Sequence, residues 1–182
     1  IKYLHVDVMD GVFVPRYGLY PEILIETRKI TKLPFDLHLM VKDVEFAIDQ
    51  YKDLKNIETV SFHYFTNEGR IFKIIDKIKS IGAKPVLVID LSTSFEAVID
   101  VIESDELDGL MFMGIHPGVL KQTHRFEIVS RKIQTFKTQC EKFKLSNNFQ
   151  IDGAFNFETA FALKTSGINN FVGGSSSFLH GL

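Results

Sequence analysis

The sequence predicts an α/β protein in which helices wrap a parallel sheet, closed as a (β/α)8 barrel in preference to an open doubly wound sheet. Three observations lead there. Short apolar runs rich in Val, Ile, Leu and Phe alternate with longer segments of helical period, and regular βα alternation implies parallel strands covered by helices. The glycine fingerprint that follows the first strand of a dinucleotide-binding open sheet is absent. The ionisable residues gather near the C-terminal ends of several apolar runs, where barrel enzymes assemble their sites.

Taken in order, the strands expected are 3–8, 35–40, 59–64, 84–89, 109–113, 149–152 and 170–173. Between the first two pairs, Asp43 is expected to cap a helix carrying Val44, Ala47, Ile48 and Tyr51. The segment 70–81 puts Ile71, Ile74, Ile75, Ile78 and Ile81 on one face and lysines on the other, with Gly82 as its C-terminal stop. A further helix carries Phe126, Val129, Ile133, Phe136, Cys140 and Phe143 on one stripe. Another starts at Asn156, with Glu158 in its first turn, and ends at Gly167. These runs give seven strands, whereas a closed barrel has eight. A first strand and its helix, about 30 residues, are therefore expected before Ile1, and a last helix after the serine-rich end. Residues 1–182 read as one barrel domain, truncated at both ends.

Composition narrows the function classes. The chain is 45% hydrophobic and 24% charged with a net charge of −2, so it lacks the basic footprint of a nucleic-acid binder. No run of about 18 apolar residues suggests a membrane span, and no secretory leader is visible. The single cysteine, Cys140, cannot form an internal disulfide and reads as a small core residue. A cytoplasmic location is expected.

The chemistry lies in the strands. Residues i and i+2 of a strand share a face, so His5 points with Asp7, and Asp36 points with His38 and Met40. Asp152, His63 and Met113 fall at the ends of their strands. Two imidazoles and two carboxylates, His5, Asp7, His38 and Asp152, suit one divalent ion: zinc first, with iron, cobalt or manganese as alternatives. Four unshared polar groups in one core would cost about 1–3 kcal/mol each, and a metal offsets that. His63 reads instead as a core histidine satisfied by a backbone carbonyl. Asp10 reads equally well as a helix cap, and methionines alone read as core filler. Gly153, Gly174 and Ser175 follow the last two strands, in the loops that bind phosphate in many such barrels.

The stretches LHVDVMDGVFVP, FDLHLMV, MGIHPG, IDGAFNFET and GGSSSF, in this order along the whole chain, resemble the pentulose-phosphate 3-epimerases, typified by ribulose-phosphate 3-epimerase. The resemblance implies a TIM barrel of the ribulose-phosphate-binding type, metal ligands at His5, Asp7, His38 and Asp152, and acid/base aspartates at Asp7 and Asp152. It implies a sulfur-lined floor of Met9, Met40 and Met113. It also implies substrate and phosphate contacts at Gly118, Gly153, Gly174 and Ser175. The implied reaction inverts C3 of a 2-ketose phosphate, D-ribulose 5-phosphate to D-xylulose 5-phosphate, in a homo-oligomer. Two departures bear on this. The loop written PGFGGQ in that family is here Pro117-Gly118-Val119-Leu120-Lys121-Gln122, which keeps open a non-catalytic sugar-phosphate-binding relative. The DG-x-x-N pattern and serine-rich end also resemble D-allulose 6-phosphate 3-epimerases. A decarboxylase or aldolase relative would need a lysine among the carboxylates, and none follows the HVD stretch.

Overall fold

The computed structural model describes residues 1–182 except 66, 119–124, 144, 146, 147, 154 and 175–182. Its elements are β1 (Leu4–Met9), α1 (Pro21–Thr27), β2 (Phe35–Met40), α2 (Val44–Tyr51), β3 (Ile57–His63), a short 3-10 turn (Glu68–Arg70), α3 (Ile71–Ser80), β4 (Lys84–Ile89), α4 (Phe95–Glu103), β5 (Gly109–Met113), α5 (Phe126–Phe143), β6 (Phe149–Asp152), α6 (Phe157–Ser166) and β7 (Asn170–Val172). All seven strands are parallel and lie in chain order, β1 to β7.

Apolar alternation decides which side of each strand faces the helices. Val6, Val8, Leu37, Leu39, Val60, Phe62, Leu87, Ile89, Leu110, Phe112, Phe149 and Ile151 are buried in the core shared with the helices. There Phe112 meets Phe136 of α5 and Phe149 of β6 edge to face, with centroids 5.2 Å apart in each case, a geometry that adds to simple burial. The intervening residues point to the other side of the sheet. Val86, Val88, Met111 and Met113 form a separate apolar cluster there.

That second side is a barrel interior. β1 and β6 are five strands apart in the sheet, which would separate their side chains by about 24 Å on a flat sheet at ~4.8 Å per strand. Yet His5 Nε2 lies 4.0 Å from Asp152 Oδ2, and Gln150 Nε2 of β6 donates to Asp36 Oδ2 of β2 at 3.1 Å. Only a curled sheet brings these residues together, as the expected barrel requires.

The helix ends follow the local chemistry. Asp43 accepts from the Phe46 N–H and Ser94 from the Ala97 N–H. Asn156 and Thr159 form a reciprocal capping box on α6. α3 buries Ile71, Ile74, Ile75 and Ile78, as its period demands. Cys140 is buried on α5. α1 and α4 complete the alternation. α1 buries only Leu24 and so leaves no clear stripe in the sequence.

Candidate metal centre

The register of β1 and β2 builds the centre. Asp7 is paired with His38, His5 with Asp36 and Met9 with Met40, so two rows of interior side chains lie side by side. Across the barrel, the pairing of Met113 with Asp152 brings the end of β6 to the same depth. His5, Asp7, His38 and Asp152 each offer one ligand atom, and these atoms lie within 4.8 Å of one another.

The separations are not those of a direct hydrogen-bond network. His38 Nδ1 is 3.3 Å from both Asp7 Oδ1 and Asp152 Oδ2, and His5 Nε2 is 3.4 Å from Asp7 Oδ1. Four ligands at about 2.0–2.2 Å from one tetrahedral ion sit about 3.3–3.6 Å apart. His5 Nε2 and His38 Nδ1 are also buried polar atoms with no hydrogen-bond partner, the only imidazole nitrogens in that state among the described residues. A buried ring nitrogen left without a partner is costly. Two of them aimed at two carboxylates fit a shared cation, and the donor set fits a divalent metal.

Each histidine is held from behind. His5 Nδ1 meets Asp36 Oδ2 at 2.7 Å. Asp36 also accepts from Thr59 Oγ1 at 2.5 Å and from Gln150 Nε2. His38 Nε2 meets His63 Nε2 at 3.0 Å, and His63 Nδ1 meets the Asp90 carboxylate at 3.0 and 3.2 Å. His63 is thus bonded to side chains at both nitrogens and not, as its sequence context suggests, to a backbone carbonyl. Phe13 covers its ring at 4.7 Å between centroids.

The electrostatics follow from these contacts. Burial opposes charge on His38, but the Asp152 and Asp7 carboxylates outweigh it and push the imidazole up to about 9. Burial also opposes charge on His5, and Asp36 and Asp7 overcome it to raise His5 well above its ordinary value. Asp7 would be raised by burial, yet His38 and His5 hold it well below the usual carboxylate range. Burial keeps His63 low and neutral despite Asp90. A compact set of two imidazoles and two carboxylates results, with the Asp7 side chain 48% exposed at its mouth.

The remaining predicted residues divide. Met9, Met40 and Met113 face the interior beside the centre. Gly153 directly follows Asp152 in a left-handed conformation (φ +113°), and a Cβ there would lie 2.6 Å from Ile115 Cγ1. Gly118 packs on Val14 of the β1–α1 loop, where a Cβ would lie 2.4 Å from the Val14 Cβ. Gly174 follows β7, and a Cβ there would meet nothing within 4 Å. Ser175 and the divergent Val119-Leu120-Lys121-Gln122 stretch lie outside the described residues. Asp10 is no helix cap. Its carboxylate accepts from the Val12, Phe13 and Lys42 N–H groups and ties the loop after β1 to the end of β2. Sequence reading placed Asp36 on the His38 face without a role, and gave none to Asp90, Thr59 or Gln150.

The ribulose-phosphate 3 epimerase family model matches residues 1–178. The chain belongs to that family. It is a family of isomerases, and the resemblance in the five sequence stretches is thereby borne out. The chain is 31% identical over 176 residues to ribulose-phosphate 3-epimerase of Helicobacter pylori strain J99, covering 97% of this chain and 79% of that one. It is 29% identical over 182 residues to the Methanocaldococcus jannaschii enzyme, covering 98% and 73%. It is 29% identical to the chloroplastic Arabidopsis thaliana enzyme, covering 97% and 62%. A variant tryptophan synthase α-subunit from Pyrococcus furiosus superposes with a TM-score of 0.61 at 16% identity, covering 86% of this chain and 62% of that one. That likeness carries the barrel fold alone. Among the described residues no helix is long and apolar enough to cross a membrane.

Proposed function

We propose that this family member is a divalent-metal-dependent epimerase that inverts C3 of a 2-ketose phosphate, D-ribulose 5-phosphate to D-xylulose 5-phosphate, with zinc as the first-choice metal. The observation that carries this reading is the pair of unpartnered imidazole nitrogens, His5 Nε2 and His38 Nδ1, facing Asp7 and Asp152 inside the barrel. His5, Asp7, His38 and Asp152 would hold the ion. When bound, it supplies Lewis-acid stabilisation of the negative charge that develops on the substrate's oxygens.

The chain's own residues supply the rest. C3 of a 2-ketose is acidified by the adjacent carbonyl, so one carboxylate removes its proton and leaves an enediolate. The other carboxyl returns a proton to the opposite face, which inverts the centre. Asp7 and Asp152 come from strands five apart and suit two-sided proton transfer. Met9, Met40 and Met113 offer an apolar, polarisable wall with no competing proton. The loops at Gly118, Gly153, Gly174 and Ser175 would hold the phosphate and fix the carbon frame while the faces exchange.

The test is an isotope experiment. Metal-loaded protein is incubated in deuterated water with D-ribulose 5-phosphate, and C3 deuterium and xylulose 5-phosphate are followed by NMR. Exchange with product formation is expected. Exchange on D-allulose 6-phosphate alone would move the substrate to six carbons. Tight sugar-phosphate binding without exchange on either sugar would make the protein a binding relative.

A further inference from the structure

We propose that His63 and Asp90 are positioning residues that dictate, through a two-step hydrogen-bond relay, which nitrogen His38 presents to the metal. The inference rests on the metal reading above. The two histidines of the centre use different nitrogens, Nε2 on His5 and Nδ1 on His38. For His5 the choice is explained locally, because Asp36 accepts a hydrogen bond from Nδ1–H at 2.7 Å. His38 has no carboxylate at its rear. Its Nε2 faces another imidazole nitrogen, His63 Nε2, at 3.0 Å. Two identical nitrogens cannot settle between themselves which one carries the hydrogen.

The Asp90 carboxylate settles it. A carboxylate only accepts, and both its oxygens lie within 3.2 Å of His63 Nδ1. His63 must therefore carry its hydrogen on Nδ1, which leaves Nε2 as a lone pair. That lone pair can only accept, so His38 donates from Nε2. The lone pair of His38 then falls on Nδ1, the atom 3.3 Å from both Asp7 and Asp152. Reversing the relay would set the His63 Nδ1 lone pair against a carboxylate and point a hydrogen from His38 at the metal position.

The surroundings keep the relay in place. His63 and Asp90 are buried, 1% and 7% exposed. The His38 and His63 rings are near-parallel at 5.1 Å. The backbone carbonyl of Asp90 accepts from Lys132 Nζ at 2.9 Å and from the Thr93 N–H at 3.1 Å. This anchors the turn after β4. His63 and Asp90 thus act on the ion only through His38.

Long-range ¹⁵N–¹H correlation of the zinc-loaded, ¹⁵N-histidine-labelled protein tests this without any variant. The expected spectrum shows His63 protonated at Nδ1, and His38 protonated at Nε2 with Nδ1 bound to zinc. Variants then test the relay by titration with zinc alone. His63→Leu and Asp90→Leu are expected to weaken zinc binding about 10–100-fold, the usual cost of losing such outer partners. His63→Gln, whose side-chain oxygen can still accept from His38 Nε2, is expected to restore most of that loss. Zinc bound through His38 Nε2, or leucine variants that bind zinc as the parent does, would overturn the relay and leave the metal reading standing. A parent protein that takes up no zinc would overturn both.

Discussion

His38 is 0% exposed, and in the metal-free protein its imidazole is pushed up to about 9 against the resistance of burial, by Asp152 and Asp7. The folded state therefore holds this proton more tightly than the unfolded chain does, whose value is about 6.5. The stabilisation is fully present below pH 6.5 and is lost as pH rises through 9. At 1.36 kcal/mol per pKa unit it is on the order of 3 kcal/mol. Chelator-treated protein should accordingly lose denaturant resistance between pH 6.5 and 9, and a His38→Gln variant should lose less, keeping only the share that His5 carries. A flat profile for the parent would refute the assignment. Asp152 supplies the second residue-scale prediction. Asp152→Asn keeps the shape but removes the carboxylate to which proton transfer is assigned, so turnover should fall by at least about 10²–10⁴-fold while far-UV circular dichroism is unchanged. Near-normal turnover would remove Asp152 from proton transfer.

At the level of elements, β1 carries two of the four residues of the centre and is held from both sides. Its pairing with β2 fixes one edge. On its other side the Gly18 N–H donates to the Met9 carbonyl at 3.0 Å and the Leu19 N–H to the Asp7 carbonyl at 3.2 Å. A Cβ at Gly18 would sit 2.2 Å from the Asp7 oxygen, so only glycine lets the returning loop reach the strand. Gly18→Ala should cost about 1–3 kcal/mol, as overpacking does, read as a lower urea midpoint. Zinc affinity should fall with it, because the backbone beside Asp7 must move. An unchanged midpoint would show that the loop does not brace β1. The strands themselves were legible because each is a short run rich in Val, Ile, Leu, Met or Phe, and all seven lie within two residues of the expected bounds. The four residues of the candidate centre were legible because His5 shares a strand face with Asp7, His38 is a polar residue inside an apolar strand, and Asp152 ends its strand. The outer shell was not. Gln150 gains its role only once the sheet curls β6 towards β2, and Asp90 only once β4 pairs with β3, and no local pattern encodes either approach. His63 was misread because its partners lie across strand pairings rather than along the chain. Its sequence neighbours Phe62 and Tyr64 suggest a core, whereas its actual partners come from β2 and from the turn after β4.

Over the whole molecule, the centre joins strands far apart in the sheet. One ion held by β1, β2 and β6 would strap opposite walls of the barrel. Any ligand that binds the folded state alone stabilises it by mass action, about 2.7 kcal/mol at a hundredfold excess over its dissociation constant. For a chain of this size 1 kcal/mol moves the melting temperature by about 2–4 °C. Saturating zinc should therefore raise Tm by roughly 5–10 °C over chelator-treated protein, and His5→Ala should lose most of that rise. The rise also depends on pH in a direction fixed by the histidines. His38 and His5 are both raised, so zinc must displace protons to reach their lone pairs, and less work is needed as those protons leave. At fixed zinc, the gain in Tm should grow from pH 6.5 to pH 8.5, while the metal-free protein weakens over the same interval. The two trends have opposite signs and a common cause. A zinc effect that shrinks with rising pH, or that survives intact in His5→Ala, would show that the ion binds somewhere other than between these strands.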